Sequence, residues 1–313
     1  MKIVYYLVLA VWYLLSLLPF WVHYLLSDLL YLILYRMIGY RKKVVRQNLA
    51  TSFPEKSEAE LRKIERGFYH FFGDYIAESV KLMTISQKNL RKRMVFKGIE
   101  HVNEVLGSGQ SITLYMGHYC NWEFVTSLQL WLIPGAQCGQ IYHPIENESF
   151  DRLFLRLRQR QGSVSIPMQE TLRRLLKFRS EKRVNLIGFL SDQKPHWVNI
   201  HHWVDFLHHD TPVLTGTERI VNKLDNAAFY LDMHRVRRGY YVGEFKLITR
   251  NSKEMKEFEL TDTYFSMLEA SIRRAPEYWL WSHNRWARTR EEFNKRFEVV
   301  NGKVIAKDHL DNC

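Results

Sequence analysis

Three histidines in this sequence each precede an acidic residue by five positions. An imidazole titrates near neutral pH and can take a proton from a hydroxyl, while a nearby carboxylate can fix its tautomer and stabilise the imidazolium. Such a pair predicts general-base chemistry, although a chain with 13 histidines and 33 acidic residues contains some pairs by chance. The pairs are His23 with Asp28, His118 with Glu123, and His143 with Glu148.

The context in the sequence favours the pair His118 and Glu123. An apolar run over 111–116 predicts a strand, Gly117 ends it, and an apolar pattern with helical spacing follows. The histidine would lie on the turn, with the glutamate in the first helical turn and within reach of the imidazole. The first pair lies in an apolar segment instead, and a proline interrupts the third. We predict that His118 is a general base oriented by Glu123; a surface histidine beside a capping glutamate is the alternative.

Short apolar strands alternate with helical patterns along most of the chain, which predicts an α/β fold with a mostly parallel, twisted sheet flanked by helices. The predicted strands are 111–116, 137–142, 164–166, 184–190, 227–236 and 240–248, and the predicted helices are 122–132, 149–161, 170–179, 213–224 and 257–274. A further helix is predicted after Ser57, where Glu60 would complete a capping box. Ligands bind beyond the carboxyl ends of such strands, so Asp192 and Gln193 are expected to face the crevice that holds His118.

The N-terminal segment is far more apolar than the rest of the chain. Between residues 3 and 35 the one formal charge is Asp28, and the stretch is long enough to cross a bilayer once. Pro19 interrupts it, which predicts a helix over 3–18 and a second over 20–38 that could span, re-enter or lie at the interface. A buried helical hairpin of a soluble domain is the alternative.

Basic residues follow the apolar segment directly, whereas Lys2 alone precedes it. They are Arg36, Arg41, Lys42, Lys43 and Arg46. Positive charge of this kind stays on the cytoplasmic side of a membrane. We therefore predict a membrane anchor over 1–38 and a cytoplasmic catalytic domain over 39–313.

The whole chain is basic, with 45 Lys and Arg against 33 Asp and Glu and a net charge of +12. This balance predicts a negatively charged partner such as anionic lipid, an acidic carrier protein or nucleic acid. The anchor and the lack of a nucleic-acid-binding motif argue against nucleic acid. The three cysteines are odd in number and widely spaced, so they predict neither a disulfide framework nor a zinc site. Cys120 is expected to pack behind the motif turn and not to act as a nucleophile.

A histidine-rich stretch raises the question of a metal. It contains His196, His201, His202, His208 and His209, with Asp205 and Asp210 among them. Adjacent histidines project in different directions, and no i, i+4 helical pair or HExxH motif occurs, so no metal site is predicted. A metal-dependent membrane hydrolase that uses this stretch is the remote alternative. With Trp197 and Trp203 nearby, a loop at the level of the lipid headgroups is the preferred interpretation.

Five blocks in this order resemble the bacterial lipid A late acyltransferase family (lauroyl/myristoyl acyltransferases), part of the lysophospholipid acyltransferase superfamily with its HxxxxE/D motif. The blocks are Arg46-x-Asn48-Leu49 with Phe53-Pro54-Glu55, Gly117-His118-x-x-Asn121-Trp122-Glu123, Tyr142-x-Pro144-x-x-Asn147, Asp192-Gln193-x-Pro195, and Pro276-x-x-Trp279-x-Trp281-x-His283-x-Arg285-Trp286. The resemblance implies a glycerol-phosphate-acyltransferase-like fold. It also implies transfer of a fatty acyl chain from an acyl carrier protein thioester to a hydroxyl of a lipid, first of all a lipid A precursor.

The resemblance also implies roles for individual residues. His118 and Glu123 would be the catalytic dyad. The substrate-binding residues would be Asn121, Trp122, Tyr142, Arg158, Asp192 and Gln193. Arg158 would hold a lipid or pantetheine phosphate, and Asp192 would orient either Arg158 or the acceptor. No cofactor is expected beyond acyl carrier protein as a co-substrate, and the partners would be that protein, anionic membrane lipid and the lipid acceptor.

The same resemblance places the protein at the bacterial inner membrane, with its catalytic domain on the cytoplasmic side. The sequence departs from the family over 204–210, where an apolar turn is expected, and at His143, where the family usually has arginine. These departures keep a second class of acceptor open, an amino-acid-based lipid or another lysolipid.

Overall fold

The computed structural model describes residues 2–300 and 302–307. Its centre is a seven-stranded sheet in the order β1-β9-β8-β2-β5-β3-β4, parallel except for the β8–β9 hairpin. The strands of this sheet are β1 (Met94–Lys97), β2 (Ile112–Met116), β3 (Gln137–Tyr142), β4 (Val164–Pro167), β5 (Asn185–Leu190), β8 (Ala227–Arg237) and β9 (Tyr240–Thr249). The predicted α/β class with a mostly parallel sheet is confirmed.

Helices cover the sheet. They are α1 (Lys2–Leu17), α2 (Phe20–Tyr31), α3 (Lys42–Ser52), α4 (Glu58–Lys81), α5 (Gln87–Arg93), α6 (Ile99–Gly107), α7 (Glu148–Gln159), α8 (Thr171–Ser180), α9 (Gly216–Leu224), α10 (Glu259–Arg274) and α11 (Arg290–Arg296). The predicted capping box of α4 is present, since the Ser57 backbone N–H donates to the Glu60 carboxylate at 2.8 Å and the Glu60 N–H donates to the Ser57 hydroxyl at 3.4 Å. The predicted helix 122–132 is a run of 3-10 turns, Trp122–Trp131.

Two hairpins lie outside the sheet and were not predicted. They are β6 (His202–Phe206) with β7 (His209–Val213), and β10 (Phe297–Val300) with β11 (Lys303–Ala306). The first carries histidine and aspartate where strands usually carry alternating apolar residues. Its turn residues Leu207 and His208 have positive φ. Turns of this kind usually contain glycine or asparagine, so no sequence signal indicated a hairpin here.

The N-terminal segment, α1 and α2, packs against the rest of the chain along one face. Pro19 separates α1 from α2, and α2 continues as a π-helical turn, Leu32–Met37. Tyr31 and Tyr35 are buried in the same hydrophobic core as the sheet. Beside them, Ser27 of α2 donates to the Asp74 carboxylate at 2.7 Å. The segment is thus part of the domain's packing.

The other face of this segment is exposed and apolar. Its exposed side chains include Leu7, Val11, Leu14, Leu17, Trp21, Leu25 and Leu29. Within the described residues, no single helix is long and apolar enough to cross a bilayer. The pair Tyr5–Leu17 and Phe20–Met37 meets the length and composition together, but the two helices are bent by 117° at their junction.

Candidate active site

The HxxxxE motif lies on the turn that leaves the carboxyl end of β2. Gly117 is required there, because a Cβ at this position would lie 2.5 Å from Leu268 Cδ1 on α10. Cys120 has the left-handed φ of +53°, which reverses the chain before the 3-10 turns begin. The segment after α10 holds the turn in place, since Cys120 N–H donates to the Tyr278 carbonyl and Leu280 N–H donates to the His118 carbonyl. The imidazole therefore projects from a fixed backbone.

Asp192, not Glu123, is the carboxylate that contacts His118. Asp192 Oδ1 lies 2.6 Å from His118 Nδ1, and Oδ2 accepts the His118 backbone N–H at 2.8 Å. The Trp279 indole also donates to Oδ2, at 2.9 Å. Burial raises the pKa of Asp192, but the His118 charge and these hydrogen bonds outweigh it and lower the pKa to about 2. Asp192 is thus ionised at neutral pH and fixes the Nδ1–H tautomer, so Nε2, which faces the Gln193 amide, is the nitrogen that can take a proton.

Glu123 is bound elsewhere, so the prediction that it orients His118 is wrong in this structure. Arg158 of α7 forms a two-pronged ion pair with it, Nε to Oε2 at 2.9 Å and Nη2 to Oε1 at 2.6 Å. Tyr75 of α4 donates to Oε1 at 3.4 Å. The left-handed residue Cys120 and the immediate start of the 3-10 turns direct the carboxylate toward α4 and α7. Glu123 therefore binds α7 through Arg158. The imidazole of His118 pairs instead with Asp192, which follows the neighbouring strand β5.

The predicted phosphate-binding role of Arg158 changes accordingly. Its guanidinium is mostly buried, and its forked geometry is used on Glu123. Asp192 therefore does not orient Arg158. Arg160, on the same helix, donates to the Leu82 and Ile85 carbonyls, while Arg156 is exposed.

Asn121 is fully buried, and its amide is hydrogen-bonded within the protein; its substrate-binding role stays a prediction. Its Oδ1 accepts the Phe124 backbone N–H at 3.2 Å, and its Nδ2 donates to Glu78 at 2.6 Å. Glu78 also accepts from the Tyr241 hydroxyl at 2.8 Å. Burial, with Asp74 nearby, raises the pKa of Glu78 to about 7 although its hydrogen bonds oppose the shift. Both ends of the amide are used to hold the motif turn against α4.

The remaining predicted binding residues differ in their closeness to His118. Gln193 Nε2 lies 3.3 Å from His118 Nε2, and the half-buried Trp122 ring stands edge-on to the imidazole at 5.1 Å. Both residues line the reacting nitrogen. Tyr142 at the end of β3 is half-buried; burial and the charge of Asp151 raise its pKa, while Arg158 opposes the shift. It lies close enough to Arg158 for that positive charge to act on its hydroxyl.

Three further residues of the site were missed by sequence reasoning. Trp279 holds Asp192, and Glu78 holds the motif turn. Arg285 is fully buried, and its Nη2 donates to the Pro212 carbonyl at 2.7 Å. Burial lowers the pKa of Arg285 to about 10, while Asp192 opposes this. Trp279 and Arg285 belong to the last of the five sequence blocks, so membership of that block could have identified them as site residues.

The other two His/acid pairs do not form a site. Asp28 binds Arg238 at 2.6 Å, while His23 is buried beside the Pro19 carbonyl. Glu148 pairs with Arg152 on its own helix. Cys120 is buried and burial raises its thiol pKa well above the usual range, which fits the expectation that it is not a nucleophile.

The histidine-rich stretch is dispersed over separate partners. His202 binds Asp262 at 2.7 Å, His209 stacks on Trp286, and His208 lies 3.3 Å from Arg273. Of the residues that the structure describes, one group has a metal-binding arrangement, Asp232 with His234 and Glu244. Arg274 and Lys246 already neutralise the Asp232 carboxylate, so this group does not fit a metal ion.

Comparisons with known proteins identify the family of this chain. The family model described as bacterial lipid A biosynthesis acyltransferase matches residues 1–288. A lipid A biosynthesis acyltransferase of Haemophilus influenzae is 24% identical over 194 residues, which is 61% of this chain and 59% of that protein. The chain thus spans about three fifths of the length of this curated relative. The match of the family model covers the apolar N-terminal segment, the motif turn and the last sequence block, and the chain belongs to the bacterial lipid A biosynthesis acyltransferase family.

Proposed function

We propose that this protein transfers a fatty acyl chain from an acyl carrier protein thioester to a hydroxyl of a lipid acceptor, first of all a lipid A precursor. The observation that carries the proposal is the pair of His118 and Asp192 at the carboxyl ends of two neighbouring parallel strands. An ionised carboxylate on Nδ1 makes Nε2 the basic nitrogen and stabilises the imidazolium that forms. Family membership supports acyl transfer as the reaction class.

The reaction needs one base and no covalent enzyme intermediate. His118 Nε2 removes the proton of the acceptor hydroxyl while its oxygen attacks the thioester carbonyl carbon. The tetrahedral intermediate then collapses, the carbon–sulfur bond breaks, and the imidazolium returns its proton to the departing thiolate. The thioester is already activated, so positioning both substrates beside the imidazole supplies the remaining acceleration. Asp192 stays ionised throughout, and Trp279 and the His118 backbone N–H hold it in place.

Glu123 acts in this scheme as a positioning residue. Its ion pair with Arg158 joins the first turn after the motif to α7, and the pair is largely removed from water. The helix that Arg158 belongs to follows directly after β3, which ends at Tyr142. The pair thereby fixes one wall of the crevice beyond the strand ends.

Membrane attachment is the second part of the proposal. The exposed apolar side chains of α1 and α2 form a continuous face, and exposed apolar surface of this extent in a soluble protein marks an interaction site. The bend of 117° suits two helices lying in the interface better than one straight span. Basic residues around Arg41 would then meet anionic headgroups on the cytoplasmic side of the inner membrane, and the same positive surface suits an acidic carrier protein.

The test is reconstituted acyl transfer. Purified full-length protein is incubated with acyl carrier protein charged with a fatty acid and with a lipid A precursor, and the product is identified by mass spectrometry. His118→Ala is expected to lower turnover at least about 10²-fold, the scale of a general base. His101→Ala, an exposed histidine, is the matched control. No transfer to the lipid A precursor, with transfer to an amino-acid-based lipid or a lysolipid, would reassign the acceptor; retained activity of His118→Ala would refute the base.

A further inference from the structure

A groove of about 700 Å³ separates α1 from α7. One wall is the face of α1 that carries Tyr6, Leu9, Ala10 and Tyr13. The other wall is polar and belongs to α7, with Met83 beneath. The polar wall consists of Arg156, Gln159 and Arg160. The groove therefore has an apolar side and a cationic side.

The two arginines of the groove share one helix face, because they are four residues apart on α7. Arg160 is fixed, since its Nη1 donates to the Ile85 carbonyl at 2.5 Å and to the Leu82 carbonyl at 3.4 Å. Arg156 is exposed, and no ion pair or hydrogen bond of its guanidinium is found within residues 2–300 and 302–307. Two guanidinium groups that line one groove suit a phosphate group, which accepts several N–H donors.

The apolar wall continues into the exposed apolar face of α1. Leu7, Val11 and Leu14 each follow a residue of the groove wall by one position and are exposed. An acyl chain that leaves the groove along this helix therefore meets further apolar side chains. Tyr6 and Tyr13 add rings with polar tips, which favour the boundary between hydrocarbon and headgroups.

The groove lies on the side of α7 away from the reaction. Arg158 is two residues from Arg156 and from Arg160 and so points to the opposite side of the helix, where it binds Glu123. Trp12 of α1 packs on Phe154 of α7, with ring centroids 5.9 Å apart, and closes the helix pair. The groove and the Glu123–Arg158 ion pair thus lie on opposite sides of α7.

We propose that this groove binds an anionic phospholipid of the bilayer, with its phosphate at Arg156 and Arg160 and an acyl chain along the wall of Tyr6, Leu9 and Tyr13. The proposal rests on the membrane attachment proposed above but not on acyl transfer. The bound lipid would fix the position of α7, and hence of Arg158, from the membrane side.

A titration of the full-length protein in detergent tests this. Dihexanoyl phosphatidylglycerol and dihexanoyl phosphatidylcholine are added separately, and binding is followed by thermophoresis. Phosphatidylglycerol is expected to bind more tightly. Arg156→Gln is expected to weaken that binding about fivefold, the scale of one cation near anionic lipid, and to weaken phosphatidylcholine binding less, because the choline cation already offsets the charge of its phosphate. Arg152→Gln is the matched control, since Arg152 lies one turn earlier on the same helix, pairs with Glu148 and does not line the groove.

Three results of this titration would overturn the proposal. Equal weakening by Arg156→Gln and Arg152→Gln would mean that general surface charge, not the groove, attracts the lipid. Equal binding of the two lipids by the wild type, or displacement of phosphatidylglycerol by inorganic phosphate at matched ionic strength, would also overturn the proposal. Acyl transfer by the wild-type protein is measured on the same samples. If the protein preferred phosphatidylglycerol but transferred no acyl chain, the proposed function would be refuted and the lipid-binding groove would not.

Discussion

His118 and Asp192 occupy equivalent positions on neighbouring parallel strands, although they are 74 residues apart in the sequence. Met116 of β2 pairs with Leu190 of β5, and each functional residue follows its strand by two positions. The register of the sheet thus places the His118 imidazole and the Asp192 carboxylate next to each other. The short separation of 2.6 Å is a property of the strand pair and not of the HxxxxE spacing.

We predict that Asp192→Asn lowers kcat about 10²-fold or more with a smaller change in KM, because an amide on Nδ1 no longer fixes the reactive tautomer. The side chain keeps its size, and the Trp279 indole can still donate to the amide oxygen. Steady-state kinetics with saturating donor measures the effect. Asp205→Asn, an exposed change in the β6–β7 hairpin, serves as the control. Wild-type kcat in Asp192→Asn would show that His118 works without this carboxylate.

The Glu123–Arg158 ion pair predicts a stability effect that activity assays alone would miss. Arg158→Met leaves the buried Glu123 carboxylate without its cation, which costs about 3 kcal/mol of the free energy of unfolding. Adding Glu123→Gln should recover much of this loss, because no unpaired charge then remains. Denaturant unfolding of the single and double variants measures both values. If the double variant were as unstable as Arg158→Met, the loss would come from packing and not from the charge.

Glu78 and Asn121 are expected to act as one unit on the motif turn. Glu78→Gln and Asn121→Ala should each lower kcat about tenfold, since either change releases the turn that carries His118 and general-base efficiency depends on its position. The double variant should be no worse than the poorer single variant, which is the signature of coupled residues. The same cycle with the exposed Glu100→Gln in place of Glu78→Gln should be additive. Additive losses for Glu78 and Asn121 would refute the coupling.

The raised pKa of Glu78 predicts a pH dependence of stability. Its ordinary pKa is 4.5 and its folded value is about 7. Between these values the folded protein holds a proton that the unfolded chain has released, so the free energy of unfolding falls as pH rises. Glu78→Gln removes this dependence, and its stability relative to the wild type should improve by on the order of 2 kcal/mol from about pH 5 to about pH 8. Urea unfolding at both pH values measures this, and a constant difference would contradict it.

Truncation should separate the roles of α1 and α2. Removing residues 1–18 is expected to weaken membrane attachment and leave a folded protein. Removing residues 1–38 also removes Ser27, which donates to the buried Asp74, and Asp28, which binds Arg238, and it uncovers the core next to Tyr69, so aggregation is expected. Flotation with vesicles and size-exclusion chromatography distinguish the two results. A monodisperse protein lacking residues 1–38 would show that the anchor and the catalytic domain fold independently.

Sequence patterns predicted the sheet because its strands are short apolar runs between helical patterns. They did not reveal β1, whose four residues pair with β9 far along the chain and carry little periodicity of their own. At the site, the rule that ligands bind beyond the carboxyl ends of parallel strands correctly predicted that Asp192 lies in the crevice of His118. The β2–β5 register that brings the two side chains into contact could not be predicted from the sequence of either strand. The direction in which the Glu123 side chain points depends on the left-handed backbone conformation of Cys120. Glycine usually occupies such positions, so a cysteine there gave no signal in the sequence.

The guanidinium of Arg238 binds Asp28 of α2 and Asp74 of α4 at the same time. This double contact ties α2 to α4 and to the turn between β8 and β9. The proposed position of α2 in the membrane interface would therefore set the height of His118 above the hydrocarbon. An enzyme held in this way would select acceptors by depth as well as by chemistry, because a hydroxyl at another level of the leaflet would be out of reach.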